Sequence, residues 1–599
     1  MPRSAGRLGW FLVWAVVFCD IGTSVYYVPG LLYGTTGDRA GFFVLATMVA
    51  FVLLAGKVIE ITRRFSSGGG VVSLADQAFG PWWGCMGGQL IMVDYFLTVA
   101  ISAVAGVYYV DSVFPLGGAK LVVTVACLAV LCGLNIVGIK ESARVSSVLA
   151  VAALGVNLAV IGTAFVHAPP GTLEVFFAEA GRLRELSPEQ ALIGYSGAWL
   201  AFSGLESLSQ LSPAMRDLGK TPRHGMIAVV VSVLLTAPTL TFLSTLALSP
   251  EVKAHESERF ISELAAVWGG MGLKLAVVLT ASTLLLFAAN TAIIGNYHVQ
   301  LALARRQFLP EALSNLSHRF QTPWRAIVVS TVVPVIVVLA VGGNMILLGE
   351  LYAFGLLGCF VLNSVGIDVL RWREGQRGLR FWVGVLTSIA VVVAFGVNLV
   401  AKPAATAFGG GLTVVGMGLA WATRSGALDR WIEKLPGMAP PEVTPLTTDT
   451  AFVTLEQACA LPREDAPGIL VAVRGSDARI FREAAARAVA RGQNRLFVIY
   501  VDEVPGLFYP QLASPTQEGL AVLARGSDFV RSHGLEPVAI WTLSHSAAAS
   551  VAEAAEELGC DTVVIGQTQR TPIWVMLRGK FQSDLQRQLP RHIRLAVTE

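Results

Sequence analysis

Charge is what this chain has least of. Only 14% of its 599 residues are Asp, Glu, Lys or Arg, against 54% hydrophobic residues. Soluble domains carry about 25% charged residues, so a wholly water-soluble chain is excluded. The formal balance is a weak +3, which gives no electrostatic reason for a nucleic-acid partner. Cysteine is scarce as well. The seven present lack the paired spacing of a metal site or a disulfide framework. Cys19, Cys85, Cys127, Cys132 and Cys359 fall in or beside apolar runs and read as inert fillers. No cleavable signal peptide is expected, because the first apolar run is long and carries an acid.

What the chain has instead is long apolar runs. Twelve of spanning length can be drawn, at about 10–32, 41–61, 84–109, 120–137, 145–166, 194–211, 223–248, 271–302, 326–341, 347–370, 381–400 and 404–422. With the N-terminus inside, the inner segments hold twenty Lys and Arg and the outer loops eight. That bias predicts a multi-pass protein of the bilayer with both termini cytoplasmic. Lys57 and Glu60 close the second run and are expected to snorkel to the interface.

The first run is interrupted by Asp20-Ile21-Gly22-Thr23-Ser24-Val25-Tyr26-Tyr27, with Pro29 and Gly30 after it. A charged side chain at that depth costs on the order of 3 kcal/mol. Gly22 loosens the helix, and Thr23 and Ser24 can satisfy freed backbone groups. Five spans later, Ser203-Gly204-Leu205-Glu206 again places a hydroxyl, a glycine and an acid near mid-span. Paired broken helices predict a 5+5 inverted repeat, with opposite orientation following from the odd spacing. At about 1.5 Å per residue, Asp20 lies roughly 15 Å in from one face and Glu206 roughly 18 Å in from the other. The third run carries Asp94, Thr98 and Ser102 on one stripe, and Tyr352 begins the tenth. Hard oxygen ligands of this kind suit a dehydrated alkali cation. Asn290, Thr291 and Asn296 read as packing and gating residues.

Residues 10–422 resemble the amino acid–polyamine–cation superfamily, a LeuT-like fold. The eighth-run exit Ala304-Arg305-Arg306-Gln307-Phe308-Leu309-Pro310 is similar to a common superfamily pattern. Asp20-Ile21-Gly22-Thr23-Ser24 resembles the GDIGTS signature of the KUP potassium transporter family (KUP/HAK/KT), and the soluble tail its KimA-like branch. Cys19 stands where the signature has Gly, and Ser203 where Thr is usual. The resemblance implies potassium uptake coupled to protons at the cell membrane. It implies potassium ligands at Asp20, Tyr27, Thr98, Ser102, Ser203, Glu206 and Tyr352, and proton coupling by Glu206, Asp94 or Asp20. An amino acid permease of the same fold is the alternative, although Asp20 and Glu206 would repel a substrate carboxylate. A receptor that has lost transport is a third reading, disfavoured by the retained acids.

Residues 423–466 are proline-punctuated and read as a linker. From 467 to 599, apolar strands alternate with amphipathic helices, which predicts a cytosolic, doubly wound parallel sheet. This tail resembles the universal stress protein fold. Gly566 and Gly579 match two glycines of that family's nucleotide motif, while Gln569 and Lys580 replace the middle glycine and the hydroxyl. The resemblance implies a regulatory nucleotide, dimerisation through this domain, or both. No resident cofactor and no enzyme activity are expected.

Overall fold

The structure is a computed structural model that describes residues 8–66, 69–138, 143–167, 172–314, 317, 320, 322–428, 452–462, 467–474, 478–503, 517–544, 546–566, 581–590 and 592–598. The chain divides into two compact units, one built on residues 8–428 and one on 429–599.

Among the described residues of the first unit, nine helices are long and apolar enough to cross a membrane. Two shorter apolar segments, Trp10–Tyr26 and Trp324–Ala340, accompany them. The chain opens with α1 (Trp10–Ile21), a 3-10 turn over Gly22–Tyr26 and α2 (Val28–Thr36). It continues through α3 (Ala40–Arg64), α4 (Gly70–Phe79), α5 (Pro81–Asp111), α6 (Lys120–Val137), α7 (Ala143–His167) and α8 (Thr172–Arg182). The expected run 194–211 is three pieces: α9 (Pro188–Ala198), a 3-10 turn Trp199–Phe202 and the single turn α10 (Ser207–Gln210). Then come α11 (Thr221–Ala247), α12 (Pro250–His255), α13 (Phe260–Arg305), α14 (Trp324–Ala340), α15 (Met345–Arg373), α16 (Leu379–Ala401) and α17 (Pro403–Arg424). The run expected at 271–302 begins where Gly270 leaves helical geometry (φ +69°, ψ −171°), a kink that divides α13 into a short stretch before it and a long one after it. Helix α5, buried over its whole apolar window, is the central column. Helices α6 and α17 leave most of theirs exposed, as lipid-facing helices do.

Close approach depends on glycine at a few points. A Cβ on Gly30 would lie 1.7 Å from the carbonyl oxygen of Ser257, in a turn between α12 and α13. A Cβ on Gly355 of α15 would lie 2.6 Å from the backbone nitrogen of Asp94 on α5. Small residues let helix backbones touch where no hydrophobic drive between helices exists.

The second unit is a five-stranded, all-parallel sheet of order β3-β2-β1-β4-β5. Its elements are α18 (Leu455–Cys459), β1 (Gly468–Val473), α19 (Ala478–Ala490), β2 (Arg495–Glu503), α20 (Gln517–Ser532), β3 (Glu536–Ser544), α21 (Ala547–Glu557), β4 (Cys560–Gly566), α22 (Phe581–Gln588) and β5 (Arg594–Thr598). Alternate side chains of β1 feed two cores. Leu470 packs with Leu455, Ala458, Val551 and Leu585, and Ile469, Val471 and Val473 with Phe481, Ala484 and Val530. Both faces are therefore covered, as the apolar strands require. Residues 452–462 of the expected linker fold with this sheet: Val453 bonds to the backbone of Ala539 and Trp541, and α18 is closed by a Thr454–Gln457 capping box.

Gly30→Ala and Gly34→Ala form a matched pair within α2. The first forces a methyl against backbone, while at Gly34 nothing lies within 4 Å. Thermal unfolding of the purified protein should show Gly30→Ala destabilised, by about 1–3 kcal/mol. Gly34→Ala should be neutral or slightly stabilising, since alanine is the better helix former by about 1 kcal/mol.

Candidate functional site

The two interrupted helices meet at their breaks. α1 ends at Gly22, where the Thr23 hydroxyl donates to the Asp20 carbonyl at 2.6 Å. The Ser24 hydroxyl lies 2.7 Å from the Ile21 carbonyl and 2.8 Å from that of Ala201 in the other break. One serine hydroxyl thus shares its single proton between freed carbonyls of both helices. Beyond Ala201 the chain leaves helical geometry: Ser203 is extended (φ −60°, ψ 143°) and Gly204 takes φ +95°. That φ favours glycine. A Cβ there would lie 2.6 Å from Cγ of Asp20 and 2.9 Å from both its carboxyl oxygens. The bare face of Gly204 is the seat of the Asp20 carboxyl.

Ser207, the first residue of α10, donates its hydroxyl to Asp20 Oδ2. This partner was not singled out from sequence, although it directly follows Glu206. Glu206 stands at the same break, two residues past Gly204 and just before Ser207. Asp94, across on α5, interacts carboxyl to carboxyl with Glu206. Among the described residues, both Asp94 oxygens and Glu206 Oε2 have no hydrogen-bond partner. Asp20, Asp94 and Glu206 are all buried. Among the described residues, none of the three has a Lys, Arg or His in ion-pair contact.

A hydroxyl group of contacts adjoins the carboxyls. The Gly355 contact brings α15 onto α5, and Thr98 Oγ1 donates to the Tyr352 hydroxyl at 2.7 Å. Tyr352 also hydrogen-bonds the Ser203 hydroxyl. Tyr27 is buried within reach of Thr23 and Ser203. The structure therefore gathers Asp20, Tyr27, Asp94, Thr98, Ser203, Glu206 and Tyr352 from four elements. Ser102, one turn beyond Thr98, is buried but makes no hydrogen bond to any of them.

Other expected residues lie elsewhere. Asn290 accepts from Asn135 at 2.6 Å, tying α13 to α6, and Asn296 accepts from Gln300. Both serve packing. Lys57 does not snorkel. It is 2% exposed and turned inward, because Asp368 of α15 lies 2.7 Å from its Nζ. Glu60 pairs with Arg64 and Arg371 instead of reaching for the interface. Gly566 ends β4, and a Cβ there would lie 2.7 Å from Ile480 Cδ1. Gly579 lies outside the described residues.

A family profile described as amino acid permease matches residues 8–419, well over half of the chain. The chain belongs to the amino acid permease family. This permease is 25% identical over 363 residues to the potassium transporter KimA of Bacillus subtilis (strain 168), covering 59% of this chain and 58% of that protein. It thus spans less than two thirds of that relative's length. The serine/threonine exchanger SteT of the same organism is 24% identical over 377 residues, covering 61% of this chain and 84% of that protein. The branched-chain amino acid permease BcaP of Lactococcus lactis subsp. cremoris (strain MG1363) is 24% identical over 392 residues, covering 59% and 80%. These relatives are transporters, and the permease is a membrane transporter rather than an enzyme. A universal stress protein from Archaeoglobus fulgidus matches 22% of the chain and 99% of its own, at 20% identity and a TM-score of 0.18.

The seat on Gly204 yields a test. Gly204→Ala should abolish substrate uptake in liposomes, with residual rate below about a tenth of wild type, because the methyl displaces the Asp20 carboxyl. Asp20→Asn keeps the shape and removes the charge, and should lose uptake while matching wild type in size-exclusion profile and thermal stability. Wild-type uptake by either variant contradicts the assignment.

Proposed function

We propose that this permease carries potassium inward with protons, as a symporter of the KUP type and its KimA-like branch. One observation carries the reading: three buried carboxyls converge on two apposed helix breaks, and among the described residues no basic side chain pairs with them. Like charges this close cannot all stay ionised without a compensating cation or proton. A cation would be ligated by Asp20, Glu206 and the oxygens of Tyr27, Thr98, Ser203 and Tyr352, with Ser102 a ligand if α5 turns. A proton would be held between Asp94 and Glu206 when the cation leaves. Exchange of one for the other couples the two gradients. The potassium named for the KimA relative supports the same reading.

The architecture that goes with it has twelve spans in a 5+5 inverted repeat within residues 1–422, a linker, and a regulatory cytosolic domain over 467–599. Both termini face the cytoplasm of the cell's plasma membrane. The parallel sheet offers strand carboxyl ends where a nucleotide could act as regulator, with Gly566 at one of them, and an exposed edge through which two copies could pair.

Transport of an amino acid with protons is the second reading, supported by the likeness to SteT and BcaP. Such a substrate brings a carboxylate to unwound backbone, and here Asp20 and Glu206 stand at both breaks. Liposomes holding the purified protein separate the two readings. An imposed inward proton gradient should drive potassium or rubidium accumulation, with no uptake of serine or leucine. Glu206→Gln should lose accumulation and keep downhill exchange, and Asp94→Asn run beside it tells which acid carries the proton. Proton-driven amino acid uptake without potassium flux overturns the proposal.

A further inference from the structure

A second carboxylate sits among membrane helices, and its surroundings are the reverse of those at Asp20. Lys57 Nζ of α3 lies 2.7 Å from Asp368 Oδ2, 2.8 Å from Ser364 Oγ, 3.0 Å from the Ser364 carbonyl and 2.9 Å from Ser388 Oγ. These oxygens come from α15 and α16. An ammonium has three protons to donate, so the cage holds one oxygen more than hydrogen bonding requires. The cage is also built to fit. Ser388 donates to Asp368 at 2.7 Å and lies 2.9 Å from Ser364 Oγ. A Cβ on Gly384 of α16 would lie 2.6 Å from Asp368 Oδ1 and 3.1 Å from Lys57 Cε. One carboxylate, two hydroxyls and a carbonyl are hard oxygen ligands, the same classes that line the Asp20 site.

We propose that this cage is a second monovalent-cation site, permanently filled by the chain's own ammonium. The charges around it balance. Asp368, Glu60 and Glu374 face Lys57, Arg371 and Arg64 in one connected set of ion pairs. Deleting the lysine side chain leaves this set one negative charge in excess, around a buried oxygen cage of the size of an ammonium head. Ammonium and potassium ions are nearly equal in size, so a cage of this size suits either. In the wild type the tethered ammonium joins α3, α15 and α16 without drawing on the transported ion, and α15 is the helix that presents Tyr352.

The test is thermal unfolding of the full-length Lys57→Ala protein in detergent, in choline chloride against ammonium, methylammonium and potassium chloride. Lys57→Ala should melt several degrees below wild type in choline and recover, dose-dependently, in the small cations. Wild type, measured in parallel, subtracts any stabilisation arising at the Asp20 site. A Lys57→Ala/Asp368→Asn protein should show no more response than wild type, because the cage has lost its charge. If Lys57→Ala yields folded protein only with small cations present, the yield on extraction in ammonium against choline is the readout. Equal melting or equal yield of Lys57→Ala in choline and in ammonium overturns the proposal, as does an undiminished response in the double variant.

Discussion

The carboxyl of Asp20 rests on the α-carbon of Gly204, and the organisation of the transporter unit depends on that contact. A charged group in the interior of a helical bundle demands polar neighbours, and an unbroken helix has none to offer. Both helices therefore come apart at the same place. The Thr23 and Ser24 hydroxyls take up carbonyls that the breaks release, and the Ser207 hydroxyl bonds across to the Asp20 carboxyl. Glycine on one side is the condition for acid on the other: a single methyl would occupy the volume of the carboxyl.

Two carboxylate sites within one bundle show how charge is assigned. Asp368 has Lys57 and Arg371 against it. Removing one partner of such a buried pair typically costs about 3–5 kcal/mol, so it is suited to holding helices together. Asp20, Asp94 and Glu206 have hydroxyls and one another. A cluster in that condition is where, in the proposed function, an exchangeable cation or proton supplies the missing charge. The same side-chain chemistry then serves a lock at Asp368 and the proposed port at Asp20.

Much of this was legible in the sequence. Broken helices announced themselves because Asp20 and Glu206 stand beside glycine in otherwise apolar runs, and the strands of the parallel sheet because apolar runs of strand length alternate with helical periodicity. The first of these strands is Gly468–Val473. What stayed hidden was pairing between distant segments. Lys57 looked like a helix-end lysine free to reach the interface, since nothing local reveals that Asp368, 311 positions away, faces it. Ser207 was passed over because its role appears only when the two breaks meet. The turn at α18 was hidden in a proline-rich stretch, where its capping box is shorter than the signal around it.

The central claim is that cation and proton exchange at one cluster of carboxyls. It is tested most directly without membranes, by adding potassium chloride to purified, weakly buffered protein and recording the protons released. The account predicts stoichiometric release that saturates with potassium, is absent with choline chloride, and is lost in Asp20→Asn. Silence on potassium addition, with proton movement on adding serine or leucine instead, would contradict it.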